Sequence, residues 1–336
     1  MSESFNAFVL NKGDGGFSAG VQQLTLDDLP AGDVTVRVQY SSVNFKDGLA
    51  CLPESPVVYT YPMVPGIDLA GTVVESSNPR FTVGQQVLAI GRDLGISQFG
   101  GYAEYARLSS DWIEPLPAGL TLKEAMALGT AGFTAGLSIQ RLEDNGLKTG
   151  DGPVLVTGAT GGVGSVAVNM LAGLGYEVAA STGKASEHEY LQNLGATKIL
   201  SREDVSGQSD NPLEAELWAG AVDPVGADTT AYLLRTTRYG GSVATCGLTG
   251  GFAIGTTVLP FIIRGVNLLG IDSVQCPAEL RAKVWQRLGS DLKPKNLAES
   301  ISHEIGLDEV PTVVGSILGG GVKGRTIVRL QPRATT

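Results

Sequence analysis

This sequence is poor in the residues that bind metals or cross-link chains. Its 336 residues include three cysteines and two histidines. Cys51, Cys246 and Cys276 lie far apart with no CxxC pair, which excludes a disulfide framework and suits a reducing compartment. His188 falls in an expected helix and His303 in an expected strand, too few to complete the Cys, His and Glu ligands of a catalytic zinc. Charge is also scarce, at 17% of residues against about a quarter in typical domains. With 24 Lys and Arg against 34 Asp and Glu, the formal charge is −10. No basic stripe exists, so a nucleic-acid surface is not expected. The first ten residues carry Glu3 and Asn6 and lack a basic start before an apolar run, so a signal peptide is not expected and the location inferred is cytoplasmic. Uncharged stretches at residues 152–176 and 239–263 are long enough to span a bilayer, but Gly, Thr and Ser interrupt them. They read as strand–turn–helix segments rather than membrane spans. None of the nine tyrosines has a lysine four residues later, which removes the short-chain reductase pattern.

Glycine, by contrast, is abundant: 46 residues, about twice the usual share. Apolar alternation predicts strands at residues 34–43, 64–75, 86–90 and 102–108. Turn signals at Asn78-Pro79, Val83-Gly84 and residues 115–119 separate them. Thr121 with Glu124 forms a capping box that opens a helix, which continues in helical spacing over residues 129–142. From Pro153 strands and helices alternate. Strands are expected at 154–157, 177–181, 198–200, 217–222, 242–246 and 267–270. Helices are expected at 161–173, 187–194, 230–237 and 278–288. That alternation implies a parallel sheet covered by helices. The last segment carries a helix (307–318) and a strand (325–330) and is expected to return to the first domain. Residues 256–263 with strand 267–270 form an apolar stretch that reads either as an edge pairing two subunits or as an internal strand.

The strongest motif is Val154-Leu155-Val156-Thr157-Gly158-Ala159-Thr160-Gly161-Gly162-Val163-Gly164. Phosphates bind bare backbone N–H groups at a helix N-terminus, where the dipole favours negative charge. Glycines there permit the turn, the approach to a diphosphate and close helix–strand packing. The spacing is Ala159-x-Gly161-x-x-Gly164, so Ala159 replaces the first fingerprint glycine. About twenty residues on, an NAD site presents Asp or Glu to the ribose. Here the tract is Ser181-Thr182-Gly183-Lys184. With the acid missing and a cation present, Thr182, Gly183, Lys184, Ser186 and Arg202 are expected around a 2′-phosphate, so NADPH is the expected cofactor.

Several tracts carry a resemblance over essentially the whole chain: Ser42-Val43-Asn44-Phe45-Lys46-Asp47, Pro65-Gly66-Ile67-Asp68, Gly129-Thr130-Ala131-Gly132-Phe133-Thr134, Trp218-Ala219-Gly220-Ala221-Val222-Asp223, Cys246-Gly247-Leu248 and Gly324-Arg325-Thr326. Together they resemble the zinc-free branch of the medium-chain dehydrogenase/reductase superfamily, in its acrylyl-CoA reductase and quinone oxidoreductase group. The resemblance implies an α/β protein: a GroES-like β-rich catalytic domain (1–122 and 299–336) plus a Rossmann domain with a doubly wound parallel sheet (123–298). It implies a homodimer without metal. Asn44, Phe45 and Asp47 are the implied catalytic residues. Phe45 stands where a tyrosine is usual, so a phenol donor is missing. Phe45, Thr134, Ala159, Thr160, Gly161, Gly162, Val163, Gly164, Cys246, Gly247, Leu248, Phe252, Ile271 and Arg325 are implied cofactor neighbours. The implied reaction moves hydride from NADPH to an activated C=C bond such as that of acryloyl-CoA. Asn44 or main-chain N–H groups would steady the developing oxyanion. Asp47 and Asp68 are expected to hold local backbone. A quinone or enal as substrate, or an NADPH-binding protein with little turnover, are the alternatives.

Overall fold

The computed structural model describes residues 4–300 and 302–330. The chain divides into two compact units, one running to Thr130 and resuming at Asn296, the other Ala131–Lys295.

Unit 1 opens with a hairpin of β1 (Ser4–Gly13) and β2 (Gly16–Thr25), joined by Asp14-Gly15. The tract Gly16-Phe17-Ser18-Ala19-Gly20 matches the GxSxG pattern of a nucleophile elbow. It lies within β2, with Ser18 opposite Asn11, so no strand-to-helix turn exposes the serine. Then come β3 (Val34–Val43), α1 (Phe45–Ala50), β4 (Asp68–Ser76), β5 (Gln86–Ile90), β6 (Tyr105–Leu108), β7 (Ile113–Pro115) and α2 (Leu122–Asp144). Val34, Val36 and Val38 alternate inward along β3 and are fully buried, as the period of two requires. The ladder of β4 starts at Asp68 rather than residue 64. Val64, Pro65 and Gly66 instead give their carbonyls to the N–H groups of Gly100, Tyr102 and Gly101.

Unit 2 contains β8 (Val154–Val156), α3 (Gly162–Gly173), β9 (Val178–Thr182), α4 (His188–Asn193), β10 (Lys198–Ser201), β11 (Trp218–Asp223), α5 (Ala227–Thr236), β12 (Thr237–Thr245), α6 (Leu259–Arg264), β13 (Asn267–Gly270) and α7 (Ala278–Leu288). All neighbours in its six-stranded sheet are parallel, in the order β10-β9-β8-β11-β12-β13. Counted from β8 this is 3-2-1-4-5-6, the doubly wound dinucleotide-binding order, with its switch point between β8 and β11. Val154, Leu155, Val156, Ala221 and Val222 at that centre are fully buried. Within the apolar stretch 256–263, read as an edge or an internal strand, the chain forms a short helix, α6. Pro260 stands in its first turn, where its missing N–H costs no intrahelical bond.

The chain returns to unit 1 through α8 (Leu297–Ser300), β14 (Ser302–Ile305), α9 (Val310–Leu318) and β15 (Arg325–Arg329). The main sheet there runs β14-β15-β3-β4-β5-β7, with β6 also on β3. The first unit boundary falls inside α2, after Thr130. The capping box does start the helix: Thr121 Oγ1 accepts the Glu124 N–H at 3.2 Å and Glu124 Oε2 accepts the Thr121 N–H at 2.9 Å. The helix kinks at Gly129, whose φ is 51° and ψ −155°, a conformation that glycine alone reaches cheaply. A Cβ there would lie 2.4 Å from Asp68 Oδ2 and 2.7 Å from Ser42 Oγ.

Candidate functional site

In unit 2 the glycine tract leaves the C-terminal end of β8 and enters α3. The Ala159 N–H donates to Ser181 O and the Gly161 N–H to Gly158 O, both at 2.9 Å. Those two amides are therefore committed within the loop. The first helical bond runs from Ser165 N to Gly161 O. The amides of Gly162, Val163 and Gly164 form the first turn of α3, where an N–H has no intrahelical acceptor. A helix N-terminus of this kind favours an anion. Gly164 is indispensable to this shape, since a Cβ would sit 2.5 Å from Gly158 O.

Beside the cradle, Thr160 Oγ1 and Thr182 Oγ1 share a hydrogen bond of 3.2 Å, and the Lys184 N–H donates to Thr182 Oγ1 at 3.1 Å. Arg202 follows β10, with a guanidinium nitrogen 2.8 Å from where a Gly183 Cβ would stand. Thr182, Gly183, Lys184 and Arg202 are thus brought together. Cys246, Gly247 and Leu248 follow β12. Ile271 follows β13, its N–H on Thr245 O at 3.0 Å. Thr134 is buried on α2, whereas Leu248 and Phe252 are exposed. Burial, then the charge of Asp223, pushes the Cys246 thiol up to about 12. Burial and the charge of Asp47 do the same to Cys51. Neither is a thiolate at neutral pH.

In unit 1, the Ser42–Asp47 segment carries a buried polar cluster. Asp68 is fully buried and accepts from four donors: Ser42 Oγ at 2.5 Å, Asn44 Nδ2 at 2.8 Å, Thr130 N at 2.9 Å and Thr130 Oγ1 at 2.5 Å. Asp47 is also fully buried and accepts the N–H of Asn44 at 2.8 Å and of Ile67 at 2.9 Å. Burial, then the nearby Asp68 charge, pushes Asp47 up to about 7. Arg325 is the cation of the cluster. Its Nε donates to Ala127 O at 3.0 Å, Nη1 to Val43 O at 3.1 Å and Asn44 Oδ1 at 3.2 Å, and Nη2 to Ser42 Oγ at 2.7 Å. Nη2 also lies 3.9 Å from Asp68 Oδ2.

Arg325 and Asn44 are both held within this cluster. Arg325 is 2% exposed, and all three of its guanidinium nitrogens donate inside unit 1, where they brace the Asn44 segment. Asn44 has both amide hydrogens placed, on Asp68 Oδ2 at 2.8 Å and Ser42 Oγ at 3.3 Å. Phe45 opens α1 and is partly exposed. Sequence reading did not find Ser42 and Thr130 as partners of Asp68, because the three meet only after β3, β4 and α2 pack.

Zinc does not fit these residues. Ile67 has an apolar, buried side chain, and both Asp68 oxygens are occupied by the donors named above. Among the described residues no group of three or more His, Cys, Asp or Glu could hold a metal ion.

A 3-2-1-4-5-6 parallel sheet with a glycine cradle at its switch point, joined to a β-rich unit, is the architecture of a dinucleotide-dependent oxidoreductase. Residues 30–118 match the alcohol dehydrogenase GroES-like domain, and residues 162–290 the zinc-binding dehydrogenase domain. The chain is 50% identical over 326 residues to the acrylyl-CoA reductase AcuI of Ruegeria pomeroyi, covering 96% of this chain and 98% of that protein. It is similar to the yhdH oxidoreductase of Salmonella enterica in complex with NADP: TM-score 0.94, 49% identity, covering 97% of this chain and 100% of that one. It is also similar to the Bacillus subtilis protein yhfP with NAD bound: TM-score 0.95, 51% identity, covering 98% and 100%. The chain belongs to the medium-chain dehydrogenase/reductase family.

Proposed function

We propose that this protein is an NADPH-dependent, metal-independent reductase of an activated C=C bond, with acrylyl-CoA as substrate. The observation that carries the cofactor half is the cluster Thr182, Gly183, Lys184 and Arg202 at the end of β9, where an NAD site would present a carboxylate. The substrate half rests on the 50% identity to an acrylyl-CoA reductase along nearly the full length of both chains.

The first-turn amides of α3 would hold the diphosphate, and Lys184, Arg202 and Thr182 the 2′-phosphate. When bound, the reduced nicotinamide supplies hydride. The chain supplies rigidity and orientation. Asp47, Asp68 and Arg325 lock the Ser42–Asp47 segment, so its main chain meets the acyl group without reorganisation. Phe45 has no hydroxyl. Tyr102 is buried, donates to Ser42 O at 3.2 Å and has a pKa driven well above 10 by burial. Asp47 is likewise sealed from solvent.

Steady-state NADPH oxidation with acryloyl-CoA, enals and quinones tests the reading. Turnover with acryloyl-CoA, undiminished by EDTA, is expected. Turnover with quinones alone would move the substrate, and tight NADPH binding without turnover would remove the enzyme. Lys184→Ala is expected to raise the KM for NADPH about tenfold, the loss of one charge-assisted bond, and to leave the KM for NADH nearly unchanged. Equal changes would exclude Lys184 as the phosphate partner.

A homodimer and a cytosolic location belong to the same proposal. All three cysteines are free thiols, as a reducing compartment favours. No helix among the described residues is long and apolar enough to cross a membrane. Val258, Ile262 and Ile263 on and beside α6 are exposed, next to the edge strand β13. A second copy covering that edge suits their chemistry. Ile262→Asp combined with Leu268→Lys is expected to give monomers in sedimentation velocity. A wild-type monomer would end the dimer proposal.

A further inference from the structure

We propose that Asp223 is a positioning residue for the dinucleotide site, fixing the two loops that border the switch point of the unit 2 sheet. This rests on the reading that NADPH binds there.

Asp223 is the last residue of β11 and is fully buried. Its Oδ1 accepts from Thr157 Oγ1 at 2.6 Å, Val225 N at 3.0 Å and Gly226 N at 3.3 Å, and its Oδ2 accepts from Thr230 Oγ1 at 2.5 Å. Each partner is a neutral donor. A buried carboxylate is costly to desolvate and is tolerated where hydrogen bonds replace water. The same neutral donors in an ordinary turn would need only a carbonyl, so the cost points to what the carboxylate ties together.

On one side it holds Thr157, the residue immediately before the glycine tract, whose N–H is also bonded to Val222 O at 3.1 Å. On the other it closes the turn that leads into α5. Ala227, the first residue of α5, stands at φ 50°, a left-handed conformation unfavourable for a residue with a Cβ and held only by surrounding bonds. The turn then carries the loop after β12. Cys246 N donates to Asp223 O at 2.9 Å, Gly250 N to Val225 O at 2.8 Å, and Gly226 bridges to Gly251. The carboxylate therefore bonds the residue before the phosphate loop and the Val225–Gly226 turn, and main-chain bonds from that turn carry the Cys246–Gly251 loop. Ligands of such sheets lie in the crevice between these strand ends. A small shift there misplaces both the diphosphate and the ring at once.

The test is NADPH affinity by fluorescence titration, with circular dichroism and thermal unfolding in parallel. Thr157→Val keeps the shape and deletes one bond. It is expected to raise the NADPH Kd five- to twentyfold at a temperature well below its Tm, with the KM for the acyl substrate unchanged. Asp223→Asn keeps Oδ1 and its three donors, because the Thr230 hydroxyl can turn to accept, and is expected to bind within about threefold of wild type. Asp223→Ala is expected to lose binding; should it not fold, Thr157→Val decides. Folded Thr157→Val that binds NADPH as tightly as wild type overturns the proposal while leaving the cofactor reading intact. Wild-type protein that fails to bind NADPH overturns the cofactor reading itself.

Discussion

Replacing Arg325 by methionine is expected to lower the free energy of unfolding by about 3–5 kcal/mol, the cost of leaving a buried charge without its partner. Methionine fits the volume and carries no donor. Asp68 would lose the cation 3.9 Å away. Ser42 Oγ and the carbonyls of Val43 and Ala127 would each lose a donated hydrogen bond. Burial alone holds the Arg325 pKa below its ordinary value, and Asp68 and Asp47 oppose that. The guanidinium is thus retained by its acceptors and not by solvent. Arg325→Lys should recover only part of the loss, because an ammonium cannot reach Ala127 O, Val43 O and Ser42 Oγ in one fork. Chemical denaturation with a fixed m-value checks this. A loss under 1 kcal/mol for the methionine variant would show that the cluster does not need its cation.

The second large effect falls on the cofactor. Gly164→Val is expected to weaken NADPH binding more than 100-fold, about 3 kcal/mol, with the far-UV spectrum unchanged. The new side chain would begin 2.5 Å from Gly158 O and 2.7 Å from Ala159 Cα, so the loop must lift off the helix end. The Gly162, Val163 and Gly164 amides would then no longer converge on one anion. NADPH fluorescence measures the change. Binding within threefold of wild type would show that the diphosphate is held elsewhere.

Legibility in the sequence followed locality. Strands 86–90 and 267–270 and helix 278–288 coincide with β5, β13 and α7, because each carries its pattern within its own residues. The order of strand, glycine tract and helix over residues 154–173 was readable for the same reason. The first hairpin was not expected, because β2 is mostly solvated and gives little apolar alternation. The six residues of α1 and of α6 are too few to show a helical period. The Asp68 cluster was out of reach for a different reason. It assembles Ser42, Asp68, Thr130 and Arg325 from three strands and a helix with Asn44 from the turn after β3, and no spacing in the chain encodes that register. Asp68 was expected to bond nearby backbone. It took side chains and one distant N–H instead. For Asp223, an apolar run ending in a lone acid was the available signal.

The position of β8 sets a practical limit on dissecting this molecule. Val154–Val156 pairs with β9 on one flank and β11 on the other, yet it precedes the segment 162–290 that matches the dehydrogenase domain. A recombinant fragment trimmed to that segment would lack the middle of its own sheet. Two half-sheets would be left with bare inner margins, and such a product should come out of cells as inclusion bodies rather than as a miniature nucleotide binder.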